Sequence, residues 1–108
     1  MLYNSRLVPG VLSSSFEQAH NATQTAQNLF LYVEYIGHSY CSPEYSVIRR
    51  SYCHYLLMYV LKGKVVFTTE EQTYEAEAGQ AFLIETKKPH IYGAIGNLEI
   101  LWIHFNGK

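Results

Sequence analysis

Aspartate is absent from the 108 residues, and only two cysteines, three prolines and one tryptophan occur. Without Asp no Ser-His-Asp relay can be assembled, and the serines at 13–15 lack the G-x-S-x-G turn that presents a nucleophile. Cys41 and Cys53 are too few for a disulfide scaffold or a Cys-based zinc site, so they are expected as reduced thiols. Eight Lys and Arg balance nine Glu to a formal charge of −1, and only Arg49-Arg50 and Lys87-Lys88 set two positive charges side by side. That balance argues against nucleic-acid binding by this chain alone. The longest apolar run, Tyr55 to Leu61, falls far short of the ~18 residues that cross a bilayer, and the amino end lacks a signal pattern. No membrane contact and a cytoplasmic location are therefore expected. The Asn21-Ala22-Thr23 triplet, which matters only on secretion, is read as chance.

What is present is a β pattern on the scale of one domain. Residues 1–28 are rich in Ser, Thr, Asn and Gln, are punctuated by Pro9-Gly10 and show no sustained apolar period. They are read as a polar N-terminal arm or an edge segment. From 29 to 108, short runs of Val, Ile, Leu, Tyr and Phe recur between breakers at Gly37 to Pro43, Lys62-Gly63, Glu70-Glu71, Ala78-Gly79, Lys87 to Pro89 and Gly93 to Asn97. Turn signals every 8–12 residues or so predict an all-β sandwich or barrel rather than βα units. Strands are expected near 29–36, 45–50, 54–62, 64–69, 72–77, 80–85, 90–93 and 98–105. Lys62-Gly63-Lys64 reads as a tight hairpin connection, and Gly79 as a second turn. Pro89 sets the entry to a short strand with His90 and Tyr92 on one face. In the last strand Leu98, Ile100, Trp102 and His104 share one face, and Glu99, Leu101, Ile103 and Phe105 the other. One face can line a barrel. The other needs a cover: the amino-terminal segment, a second copy, or sequence outside these residues.

Three blocks follow one another in order: Tyr55-Leu-Leu-Met-Tyr-Val-Leu-Lys-Gly63, then Tyr74 with Gly79-Gln-Ala-Phe-Leu-Ile-Glu-Thr-Lys-Lys-Pro-His-Ile-Tyr92, then Leu101-Trp-Ile-His-Phe-Asn-Gly107. Arg49 lies six residues before Tyr55. Together these blocks resemble the sensor domain of AraC-type transcription regulators, over roughly residues 30–108. The resemblance implies a cupin-like double-stranded β-barrel, or jelly roll, followed by a linker and a helix-turn-helix DNA-binding domain. Neither of those later parts is among these residues, so the chain is expected to be a fragment that meets DNA only through the absent domain. In sugar-sensing relatives the positions of Arg49, Tyr92 and Trp102 line the pocket. Ile100 stands where the arabinose-sensing member has a His, which counts against arabinose itself. Metal-dependent cupins carry His-x-His, then Glu, and a late His. Here the matching stretch, Arg49 to Leu56, offers Arg, Ser, Tyr and Leu. His90 alone cannot hold a divalent ion, and a His54/His90/His104 triad is the weaker reading. No metal, no cofactor and no enzymatic activity are expected, and Glu85 is read as a solvated rim carboxylate.

A barrel interior holding Trp102, Tyr92, His90 and Arg49 is polar for pure packing, and a desolvated Arg needs a partner. Such a lining suits a carbohydrate: the indole stacks on the C–H face of a sugar while Arg, His and Tyr bond its hydroxyls. His104, on the Trp102 face, and Tyr35, on an early strand, complete the candidate ligand site. The expectation is a ligand-sensing regulatory domain that binds a sugar or similar metabolite, works as a homodimer, and uses its arm to report ligand. The alternatives are a small metal-dependent cupin enzyme, such as an isomerase or dioxygenase, and a dimerisation module with no ligand.

Overall fold

β-Branched and aromatic residues alternating with polar ones favour extended chain, because such side chains pack well on a pleated surface. The computed structural model of the protein describes residues 8–21, 23–25, 31–49, 55–70, 72–85 and 90–107. They form β1 (Phe16–Ala19), β2 (Tyr32–Cys41), β3 (Ser46–Arg49), β4 (Tyr55–Thr69), β5 (Thr73–Glu77), β6 (Ala81–Glu85) and β7 (His90–Asn106).

The two long strands, β4 and β7, lie antiparallel from Tyr55↔Phe105 to Thr69↔His90, and each changes its other neighbour half-way. The first half of β4 pairs with β6, from Tyr55↔Glu85 to Tyr59↔Ala81, and the second half with β5, from Lys64↔Glu77 to Thr68↔Thr73. β7 pairs first with β3, then with β2, whose outer neighbour is β1. The fold is therefore an all-β jelly roll in which the arrays β1-β2-β7-β4-β6 and β3-β7-β4-β5 share two bent strands.

Two expected turns are continuous strand in the structure. Lys62-Gly63-Lys64 is not a hairpin, since β4 runs through it and joins the expected strands 54–62 and 64–69. Likewise Gly93 to Asn97 does not break the chain, and β7 joins 90–93 to 98–105. The positive φ of Gly63 (88°) serves a bulge instead, with register slips between Val60 and Lys62 and between Lys62 and Lys64. A Cβ at Gly63 would lie 2.1 Å from the Asn97 carbonyl oxygen, so only glycine lets the two strands cross the corner together. β2 also continues through Gly37 to Cys41, past the expected breaker, and β1 forms within the segment that shows no apolar period.

The bulge shifts the phase of burial. Leu56, Met58 and Val60 point inward before it, and Val65 and Phe67 after it. Without the extra residue Val65 and Phe67 would face solvent. On β7 the buried face is Leu98, Ile100, Trp102 and His104, with His90 and Tyr92 continuing it around the corner. Each fully buried aliphatic side chain contributes about 1.5–3 kcal/mol, so this alternation drives the closure of the roll. Residues 10–15 are tied to the end of β2: Leu12 N–H donates to the Tyr40 carbonyl (2.8 Å), Ser42 N–H to that of Gly10 (2.8 Å), and Tyr40 N–H to Ser15 Oγ (2.9 Å). No helix among the described residues is long and apolar enough to cross a membrane.

Candidate functional site

β5 and β6 leave opposite halves of β4, so the inner faces of the two arrays diverge between them. The gap is a cavity of about 780 Å³. Val65, Phe67 and His90 line it together with Ala76, Phe82, Leu83 and Ile84, while Thr69, Tyr74, Glu75, Gln80, Ala81 and Glu85 complete the lining. The Phe67 and Phe82 rings meet across the two arrays with centroids 5.9 Å apart. Glu75 faces Lys64 at 3.6 Å, an exposed pair of small energetic weight.

Behind the cavity stands an aromatic wall. His90 and Tyr92, two residues apart on β7, lie parallel with centroids 5.8 Å apart, and the Phe67 ring stacks at 5.5 Å from His90 and 6.0 Å from Tyr92. Tyr45 continues the wall at 6.1 Å from Tyr92. The two share a surface, as their spacing requires, but His90 lines the cavity and Tyr92 is not among its lining residues.

A second group is built on the β2–β7 register. Gly37 pairs with Trp102, and a Cβ there would fall 2.1 Å from the indole, so the ring rests against the backbone of β2. Trp102 Nε1–H donates to Ser39 Oγ at 2.8 Å, and Trp102 is only 4% exposed. His104 meets the indole edge-on at 5.1 Å, and Tyr35 meets His104 edge-on at 6.3 Å. Tyr35 thus faces inward. Trp102, His104 and Tyr35 form one packed cluster, apart from the residues that line the cavity.

Arg49 pairs through its backbone with His90, while the placement of its side chain lies outside the described residues, as do His54 and Cys53. Among the described residues no three His, Cys, Asp or Glu converge as a metal site would require. His90 and His104 sit on different halves of β7, so the donor set of a metal-dependent cupin is not assembled by them. Glu85 is exposed at the end of β6 and lies in the cavity lining. Burial pushes the Cys41 thiol up from 9.0 to about 12, which holds it protonated and unreactive at neutral pH. The described part of the amino-terminal segment contributes nothing to the cavity lining.

Gly37, Ser39, Phe67, Ala76 and Phe82 were not foreseen as site residues. Only the register sets Gly37 under the indole, and only the bulge turns Phe67 inward. The arrangement can enclose an organic molecule against aromatic and aliphatic walls, with hydroxyl-accepting groups at the edge.

The model of the family described as AraC-like ligand binding domain matches residues 32–108. No curated protein matches the sequence closely enough to count as a relative. Among solved structures, a cupin superfamily protein from Desulfitobacterium hafniense is similar with a TM-score of 0.62 and 17% identity, over 85% of this chain and 77% of that one. An HTH_3 family transcriptional regulator from Vibrio cholerae gives 0.65 and 14%, over 87% of this chain and 52% of that one, so this chain spans about half of that regulator's length. A predicted oxalate decarboxylase from Thermotoga maritima gives 0.59 and 16%, over 96% and 97%. At these identities the likeness establishes the cupin fold.

Proposed function

Since the chain belongs to the AraC-like ligand binding domain family, we propose that it is the sensing part of a transcription regulator, which takes up a carbohydrate or similar metabolite inside the barrel. In this reading the domain is not an enzyme, acts in the cytoplasm, and controls a DNA-binding domain that is not among these residues. The observation that carries it is the cavity of about 780 Å³ with His90 in its lining, backed by the parallel Tyr92 ring. In this reading His90, with Tyr92 behind it, is the polar end of the site, and Arg49, whose backbone pairs with His90, is assigned to it from the sequence. The Trp102, His104 and Tyr35 cluster packs apart from the cavity and braces that end through β7, the strand that also carries His90 and Tyr92. The domain pairs with a second copy. Support for that comes from the outer face of β7 and β4, where Leu101 is 41% exposed and Leu57 38%.

A sugar panel read by thermal shift and by the emission of the sole tryptophan, Trp102, tests the reading. A ligand present at 100 times its Kd adds about 2.7 kcal/mol of apparent stability. Arg49→Ala is expected to remove that gain while the unliganded domain still melts cooperatively. If no small metabolite raises the melting temperature, or if elemental analysis of the purified protein finds one equivalent of a transition metal, the enzyme or ligand-free alternatives replace this reading.

A further inference from the structure

We propose that the cavity between β5 and β6 receives an aromatic ring, so that the ligand is an uncharged aryl glycoside rather than a bare sugar. This rests on the reading of the domain as a small-metabolite sensor and adds the chemical class of the guest. A volume of about 780 Å³ lies in the upper part of the roughly 300–1,000 Å³ range of pockets that enclose drug-sized ligands, well above what one sugar ring fills. The walls of the cavity favour an apolar guest. Val65, Phe67, Ala76, Phe82 and Ile84 offer water few hydrogen bonds, whereas an apolar ring gains by leaving water for such a surface. The Phe67 and Phe82 rings meet at 5.9 Å with a 37° tilt, so a third ring packed beside them joins an aromatic pair already in contact.

Ala76 is the reason there is room. It is buried on β5 with its side chain toward the space, where a larger residue would fill the cavity from that side. Charge narrows the class further. The acidic groups among the described lining residues are Glu85 and Glu75, the latter paired with Lys64; both accept hydrogen bonds from hydroxyls, and no Lys or Arg among those lining residues offers a ligand carboxylate a partner. His90 joins the two parts of the site. It lines the cavity beside Phe67, with ring centroids 5.5 Å apart and Tyr92 behind it, so a hydroxylated ring held by His90 would set an attached aryl group against Phe67 and Phe82.

The test is isothermal titration calorimetry on the protein with phenyl β-glucoside and phenyl β-galactoside, each against the methyl glycoside of the same sugar, with phenyl β-glucuronide as the anionic counterpart. At least one phenyl glycoside is expected to bind about tenfold or more tighter than its methyl partner, and the glucuronide more weakly than phenyl glucoside. Ala76→Phe, which fills the space, should bring the ratio of phenyl to methyl glycoside affinity down toward one. Ala76→Leu should give a smaller loss, and thermal melts of both variants confirm that they fold. Equal affinity of phenyl and methyl glycosides overturns the inference and leaves the sensor reading standing. A phenyl preference that survives both Ala76 substitutions overturns it too, since the ring then sits elsewhere. Binding of neither glycoside type sinks the inference, and failure of the wider metabolite panel as well sinks the sensor reading with it.

Discussion

Replacing Gly37 with alanine should be among the most costly single-methyl changes in this domain. The backbone there is ordinary, so the cost is one of space. The new Cβ would meet three indole atoms of Trp102 at 2.1, 2.2 and 2.6 Å, and His104 closes the ring in from the side. The indole must move off β2, which breaks the 2.8 Å bond from Nε1–H to Ser39 Oγ at a site where both residues are buried. Overpacking of this kind costs about 1–3 kcal/mol. Leaving a buried donor or acceptor unsatisfied adds about 1–3 kcal/mol. A total of roughly 2–6 kcal/mol is a large share of the ~5–15 kcal/mol that holds a domain of this size together. At about 4–8 °C per kcal/mol, the melting temperature should fall by well over 8 °C. Trp102 emission, the only tryptophan signal, should shift red as the ring gains solvent. Ser39→Ala should cost only the hydrogen-bond part. The double variant should fall short of the sum of the singles, because both act through one ring. A Gly37→Ala protein that melts within 2 °C of the parent with unchanged emission would refute this account of how the indole is seated.

Two further outcomes are expected. The Cys41 thiol ionises with more difficulty folded than unfolded, so the native state holds its proton between 9.0 and about 12 while the unfolded chain loses it. Stability from this group is therefore intact below pH 9 and declines as pH rises toward 12. Urea titrations of Cys41→Ala should show a shallower alkaline decline than the parent, and an equal decline would assign it to other groups. On the outer face, Leu101→Arg should change folding by no more than about 0.5 kcal/mol, because the site is exposed. Sedimentation should nevertheless show dimers turned to monomers, and an unchanged sedimentation coefficient would move the interface elsewhere.

How much was legible follows from how local each feature is. The inward set Leu98, Ile100, Trp102 and His104 could be read at once, since alternation along a strand is a property of the strand itself. The pairing of His90 with Tyr92 on one face was legible for the same reason. Gly63 was recognised as a residue that needs positive φ, but a hairpin turn and a bulge both use that conformation. The choice between them depends on Asn97, 34 residues away, whose carbonyl lies against Gly63 in the folded protein. From that one choice follow the merged strand β4, the inward turn of Phe67, and one wall of the cavity.

The residue pattern by itself determined an all-β roll, the buried face of its last strand and the family, because these depend on alternation, turn residues and short ordered blocks that need no partner to be read. Only the tertiary structure decided where the empty space lies, which aromatic residues border it, and that Gly37 and Ser39 hold Trp102 in place. Those outcomes depend on register between distant strands and on β5 and β6 departing to different arrays. Such pairings are chosen by the free energy of the whole packed roll, not by any run of neighbouring residues.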